Sequence, residues 1–79
     1  MTIDSIRSYI QTEILNDSTF VIEEDQDLLL SETLDSLSVT RLVEYLERQY
    51  GVTIPAQDVT LENFASLRRI QAYLESRKG

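Results

Sequence analysis

The sequence contains no cysteine, no histidine and no tryptophan. Without cysteine there are no disulfide staples, a usage that fits a reducing compartment. Without histidine as well, the Cys/His zinc frameworks and the His- or Cys-dependent catalytic triads are excluded. Glycine stands only at positions 51 and 79 and proline only at 55, so neither interrupts the first fifty residues. No apolar run approaches the ~20 residues of a membrane span, and the N-terminus lacks the basic-then-apolar pattern of a secretory signal. The expectation is a soluble, cytoplasmic chain with no membrane partner. Basic residues are scarce in the first half. Residues 1–35 hold nine acids against Arg7 alone, whereas residues 36–79 hold five acids and six bases. The net charge of −7 repels phosphate backbones, so nucleic acid is not an expected partner.

What the chain does have is enough apolar matter for one small core. At 79 residues and 42% hydrophobic it is read as a single domain, 1–79, too apolar for a disordered tail. A domain of this size buries roughly 60% of its unfolded surface, which leaves a thin stability margin.

Apolar periodicity organises the chain. Ile3, Ile6, Ile10 and Ile14 form one helical stripe. Thr2 can cap it and Asn16-Asp17-Ser18 stops it, which predicts a helix over 3–15. Residues 16–35 show no such pattern. A connection that long needs a reason in a small domain. Its apolar members Phe20, Val21, Ile22 and Leu28-Leu29-Leu30 suggest a loop folded back on the core, with room for one helical turn near Asp27–Leu30. The acidic cluster Glu23-Glu24-Asp25-Gln26-Asp27 lacks the central glycine and spaced oxygens of a calcium loop. It reads as a solvated acidic turn, and no metal site is expected.

The strongest pattern follows. Asp35 is a good N-cap, Ser36 takes the first helical position, and Val39, Leu42, Val43, Leu46 and Tyr50 lie on one face before Gly51 ends the helix. Val52-Thr53-Ile54-Pro55 is an extended connector with Val52 and Ile54 turned inward, because the residue before proline leaves the helical region. Thr60 caps a short helix through Phe64. Ser66 caps a last one with Leu67, Ile70 and Leu74 buried, fraying at Arg77-Lys78-Gly79. The expected fold is all-α, a small four-helix bundle of three main helices and one short one, with a long loop between the first two.

On the second helix, Leu37, Arg41, Glu44 and Arg48 fall opposite the buried face. That stripe is either an ordinary solvated face with an Arg41–Glu44 pair or a docking strip for a partner. Ser36 sits where a helix presents unpaired N–H groups and a partial positive charge, a position that tolerates an esterified phosphate. With no histidine to activate it, Ser36 is poorly placed to be a nucleophile in its own right, and no catalytic residue is expected. It suits a substrate on which another enzyme does the chemistry. Taken alone, though, Asp-Ser is also a common cap pair, and an acidic helical adaptor with Ser36 as a mere cap residue is the alternative.

These residues bear a resemblance that covers nearly the whole chain. Asp35-Ser36-Leu37 opening a helix, then Leu42-Val43, Leu46-Glu47, Tyr50, Ile54-Pro55, Val59-Thr60-Leu61-Glu62-Asn63-Phe64 and a closing Tyr73-Leu74 resemble the acyl and peptidyl carrier proteins. The resemblance implies a covalent 4′-phosphopantetheine arm on Ser36. It also implies a phosphopantetheinyl transferase as partner, and acyl- or aminoacyl-loading and synthase enzymes that meet a monomeric, non-catalytic carrier. Asp35 and Leu37 would flank the attachment point, with Arg41, Glu44 and Arg48 on the recognition surface. Two departures stand out. Many members place a glycine two or three residues before the aspartate, where this chain has Thr33 and Glu32, so a stiffer approach to Ser36 is expected. The carriers of primary fatty-acid synthesis usually have an acidic second helix, whereas this one carries Arg41 and Arg48, with Ser38 and Gln49 where acids are typical. That implies a partner set different from the standard fatty-acid enzymes, and the stretch from Gly51 to Phe64 looks more like the discrete carriers of polyketide or non-ribosomal peptide pathways, with specialised fatty-acid synthesis also expected.

Overall fold

The isoleucine stripe folds as expected, with one change of pitch. In the computed structural model, which describes residues 2–78, α1 runs Thr2–Tyr9 and continues as a π-helical turn over Ile10–Ile14. Leu15 N–H closes that turn on the Ile10 carbonyl at 2.8 Å, and Asn16 ends it in the left-handed region at φ 54°, a conformation asparagine adopts readily. Ile6 and Ile10 are fully buried, while Ile3 and Ile14 pack at the edge. The cap expected of Thr2 falls on a side chain outside the described residues.

Helix α2 spans Ser36–Tyr50, the range its pattern predicts. Gly51 terminates it at φ 65°, returning its N–H to the Glu47 carbonyl at 3.0 Å; only glycine takes this conformation without a steric cost. Leu42 and Leu46 are fully buried, with Val39, Val43 and Tyr50 packed around them. The connector then runs extended to Pro55. Glu47 Oε2 accepts from Ile54 N–H at 2.9 Å, which holds Ile54 inward, and Val52 packs beside it. A 3₁₀ turn at Ala56–Asp58, which the sequence pattern does not signal, leads to the short helix α3, Leu61–Phe64. Thr60 caps α3 by accepting from Asn63 N–H, and α4 runs Leu67–Lys78 with Ser66 Oγ accepting from Arg69 N–H. The fraying expected at Arg77-Lys78-Gly79 does not reach Arg77 or Lys78, which stay helical, and Gly79 lies outside the described residues.

Four helices thus enclose one core, to which Phe64, Leu67, Ile70 and Leu74 contribute fully buried side chains. Tyr9 and Tyr45 stack at 4.0 Å between α1 and α2, while the Phe64 and Tyr73 rings meet at 5.7 Å between α3 and α4. The Tyr73 hydroxyl donates to Asp58 Oδ2 at 2.7 Å, which ties α4 to the 3₁₀ turn. Among the described residues there is no strand, and no helix is long and apolar enough to cross a membrane.

The 16–35 connection is a packed loop of turns; the helical turn expected near Asp27–Leu30 does not form. Asp27 Oδ1 accepts from Leu30 N–H at 2.6 Å as an N-cap would, but the chain closes on itself instead of continuing, with Glu32 N–H on the Leu29 carbonyl and Leu34 N–H on the Leu28 carbonyl. Ile22, Leu28 and Leu34 are buried in the core. The backbone is fastened by Arg7 Nε to the Ile22 carbonyl at 2.8 Å and Gln11 Nε2 to the Phe20 carbonyl at 2.6 Å. The radius of gyration, 11.4 Å, is close to the roughly 12 Å of a compact chain this long, so the loop adds no excess girth. The acidic turn is exposed but not simply solvated. Glu24 and Asp25 pair with Arg68 of α4 at 2.9 and 2.7 Å.

Candidate functional site

The site begins with a helix cap. Asp35 lies in the extended region, and its Oδ1 accepts from Ser38 N–H at 2.8 Å. Its carbonyl takes Val39 N–H at 2.9 Å, the first bond of α2. The Ser38 N–H holds the Asp35 carboxyl below its ordinary range, so the carboxylate is ionised at neutral pH and engaged with the helix end.

Because Asp35 does the capping, the Ser36 hydroxyl is left over. Ser36 is exposed at the first position of α2, and its hydroxyl makes no hydrogen bond to any other described residue. Only its carbonyl is used, by the Thr40 hydroxyl at 3.0 Å. A side chain at this point can take an esterified phosphate without giving up an internal bond. It has no imidazole beside it, and its neighbouring carboxylate is already committed to the backbone.

Ser36 opens onto a groove of about 580 Å³. One wall is the end of the long loop, with Leu29, Glu32 and Leu34. The other is formed by Val39 and Thr40 of α2 with Val59, Thr60 and Leu61. Val39, Thr40 and Val59 also line a hollow of about 350 Å³ that continues along α2 toward Val43, Ile54 and Ala56. The surface leading away from Ser36 is therefore long, open and partly apolar, dimensions that suit an extended arm with a polar start.

Leu37 is 71% exposed, as the helical wheel requires, and Arg41, Glu44 and Arg48 are exposed along the same helix. Five of the six residues singled out from the sequence thus lie exposed on α2, and the sixth, Asp35, is its cap. The Arg41–Glu44 pair is not there. Arg41 Nη2 donates to the Glu13 carbonyl at 2.9 Å, while the Tyr9 hydroxyl donates to the Arg41 carbonyl at 3.4 Å. The π turn of α1 offers a carbonyl at closer range than a surface ion pair of little net value.

Two exposed leucines, Leu61 in the groove lining and Leu30 beside the lining residue Leu29 in sequence, were not singled out as site residues. Leu30 is 72% exposed and Leu61 50%. Leu61 carried a readable signal, since it follows the Thr60 cap at the first position of α3, as Leu37 stands at the second position after the Asp35 cap. Leu30 carried none, because Leu28-Leu29-Leu30 is a uniform apolar run whose facing only the turn decides.

One approach residue explains a departure from the expected pattern. Glu32 sits at φ 62°, the left-handed region in which glycine is at ease. The chain turns there as glycine would allow, with a glutamate in the strained position.

No curated protein sequence matches the chain. Among solved structures, it is similar to a chain of one described as "Crystal structure of FAD-dependent dehydrogenase". The identity is 28% and the TM-score 0.78, over 86% of this chain and 96% of that one. The matched chain is therefore about the same length as this one. The family described as "Phosphopantetheine attachment site" matches residues 4–74. With nearly the whole length covered, from α1 to the end of the buried face of α4, the chain belongs to the phosphopantetheine-attachment family of carrier domains, whose members bind 4′-phosphopantetheine covalently.

Proposed function

We propose that Ser36 is the attachment residue and that residues 1–79 form one carrier domain for acyl or aminoacyl groups. The observation that carries this is the division of labour at the start of α2. Asp35 caps the helix through Ser38 N–H, so the exposed Ser36 hydroxyl is free of structural duty and opens onto the groove.

The residues present fit the group. Ser36 would hold its phosphate at the positive end of α2, and Val39, Thr40 and Val59 would flank the arm. When bound, the arm supplies a terminal thiol that carries cargo as a thioester. This chain contributes no base of its own. Ser36 therefore loses its proton to the transferase as its oxygen displaces the adenosine bisphosphate portion of coenzyme A. The domain then acts by presenting a tethered substrate at high effective concentration to successive enzymes, as carrier domains of this family do. It is itself non-catalytic and monomeric, and it works in the cytoplasm.

The pathway reading rests on α2. Its exposed face carries Arg41 and Arg48, which suits partners other than those that read a uniformly acidic helix. We assign the domain to polyketide, non-ribosomal peptide or specialised fatty-acid synthesis on that ground.

The test is intact mass after incubation with coenzyme A and a broad-specificity transferase. The wild type should gain one phosphopantetheine, and Ser36→Ala should gain none while keeping its helix content. A gain that survives Ser36→Ala would overturn the assignment. An adaptor that used only the exposed face of α2 would keep its activity in Ser36→Ala, whereas a carrier loses it.

A further inference from the structure

The wall of the groove contributed by the long loop has no regular structure of its own, so something must fix it beside Ser36. The bonds that do so lead to α4. Arg68 N–H donates to the Glu24 carbonyl at 3.0 Å, Arg68 Nε to Asp25 Oδ1 at 2.7 Å, and Arg68 Nη2 to Glu24 Oε1 at 2.9 Å. The loop thus caps α4 with a carbonyl, and α4 grips the loop with a guanidinium. A little further on, Leu28 N–H donates to the Ala65 carbonyl at 2.7 Å, just before α4, and the Leu28 side chain is fully buried. Leu34 N–H then donates to the Leu28 carbonyl at 2.9 Å, which closes residues 28–34 into a small ring of backbone. That ring lines the groove with Leu29, Glu32 and Leu34, leaves Leu30 exposed, and ends directly at Asp35-Ser36.

We propose that Arg68 is a positioning residue for the modification of Ser36. Its grip on Glu24-Asp25 holds the 28–34 ring against α2 and sets the fraction of molecules that present the groove wall and Leu30 to the transferase. This rests on Ser36 being the attachment residue. An exposed ion pair adds little to global stability, so the effect is one of geometry. The planar fork of arginine meets two neighbouring carboxylates at once, which the single ammonium of lysine does not reproduce. When only a fraction of the molecules is competent, apparent affinity falls by that fraction, while turnover of the bound complex is unchanged.

The experiment measures transferase kinetics with the full chain as varied substrate, alongside amide hydrogen exchange. Arg68→Gln should raise KM about three- to tenfold, as expected when the competent fraction falls by that factor, and leave kcat within about twofold. Arg68→Lys should fall between it and the wild type. The double variant Glu24→Gln with Asp25→Asn should match Arg68→Gln, and combining all three should add nothing. Exchange should quicken at the Leu28 and Leu34 amides and stay unchanged at Leu46 and Leu74. Ile70→Val, a core change in the same helix, should lower Tm with no change in KM.

An unchanged KM in Arg68→Gln overturns the inference. So does an additive triple variant, an Ile70→Val variant with the same rise in KM, or exchange that quickens throughout the domain. A wild-type chain that takes up no phosphopantetheine fails the Ser36 reading itself. A modified wild type with insensitive variants fails the role of Arg68 alone.

Discussion

Replacing Glu32 by glycine should stabilise the domain, and the size of the gain can be worked from the backbone. Glu32 lies at φ 62°, where a residue with a Cβ is disfavoured by roughly 1–2 kcal/mol. Glycine removes that cost but brings a more flexible unfolded chain, which takes back roughly 0.5–1 kcal/mol. The net gain centres on about 0.75 kcal/mol, which corresponds to a rise in Tm of about 3–6 °C for a domain of this size. Charge is a confounder, because the substitution also removes an acid from a crowded half of the chain. Glu32→Ala removes the same charge and keeps the Cβ, so the difference between the two variants isolates the backbone. Urea unfolding of both, at matched slope, should place Glu32→Gly above Glu32→Ala by the stated amount. Equal midpoints, or an alanine variant that is the more stable, would refute the argument that strain resides in this turn.

Other outcomes follow from burial and titration. Leu46→Ala should cost about 2–5 kcal/mol as a fully buried large-to-small change, whereas Leu37→Ala should stay within about 0.5 kcal/mol and weaken partner binding; equal losses in denaturant unfolding would refute the assignment of faces on α2. Burial first, then the bond to Asp58, push the Tyr73 hydroxyl from 10.0 up to about 12. The fold thus favours the protonated phenol, and this stability is complete below pH 10 and is lost as pH rises toward 12. Tyr73→Phe lacks that loss, so its stability gap to the wild type should narrow across this range, and a constant gap would speak against the burial argument. At the acid end, the Thr19 hydroxyl lowers the Asp17 carboxyl and the Ser38 N–H lowers that of Asp35. Their stabilisation is present above the ordinary carboxylate range and disappears as pH falls below about 4. Tm measured against pH should fall less steeply in Asp17→Asn/Asp35→Asn.

The helices were legible because each announces itself twice, through an apolar period and through a terminal residue. The α2 pattern from Val39 to Tyr50 is bracketed by Asp35 and Gly51, and both boundaries agree with the structure. The Ser36 position was legible for the same reason. What escaped is what depends on partners distant in sequence. Nothing near Glu24-Asp25 signals that Arg68, more than forty residues away, would pair with both carboxylates. The π turn at Ile10–Ile14 escaped because the isoleucine spacing satisfies an α-helix and a locally widened one equally well. The turn at Asp27–Leu30 went astray because Glu32 leaves the right-handed region at φ 62° and the amides of Glu32 and Leu34 close back on the Leu29 and Leu28 carbonyls. The glycine departure at position 32 was visible as a missing residue type. Its meaning, a left-handed turn kept with the wrong side chain, needed the dihedral angle.

The two arginines on the outer face of α2 differ in readiness. Arg48 bonds to no other described residue, so its long side chain samples many directions, and any partner that captures it must give up about 0.5–1.5 kcal/mol to still it. Arg41 has already been stilled by folding, its guanidinium held to the Glu13 carbonyl and its backbone oxygen held by Tyr9. Under the proposed carrier reading, a carboxylate on an approaching enzyme would meet at Arg41 a charge whose bearing is set in advance by α1. Arg48 would then draw an acidic partner in, and Arg41 would set which way round it sits.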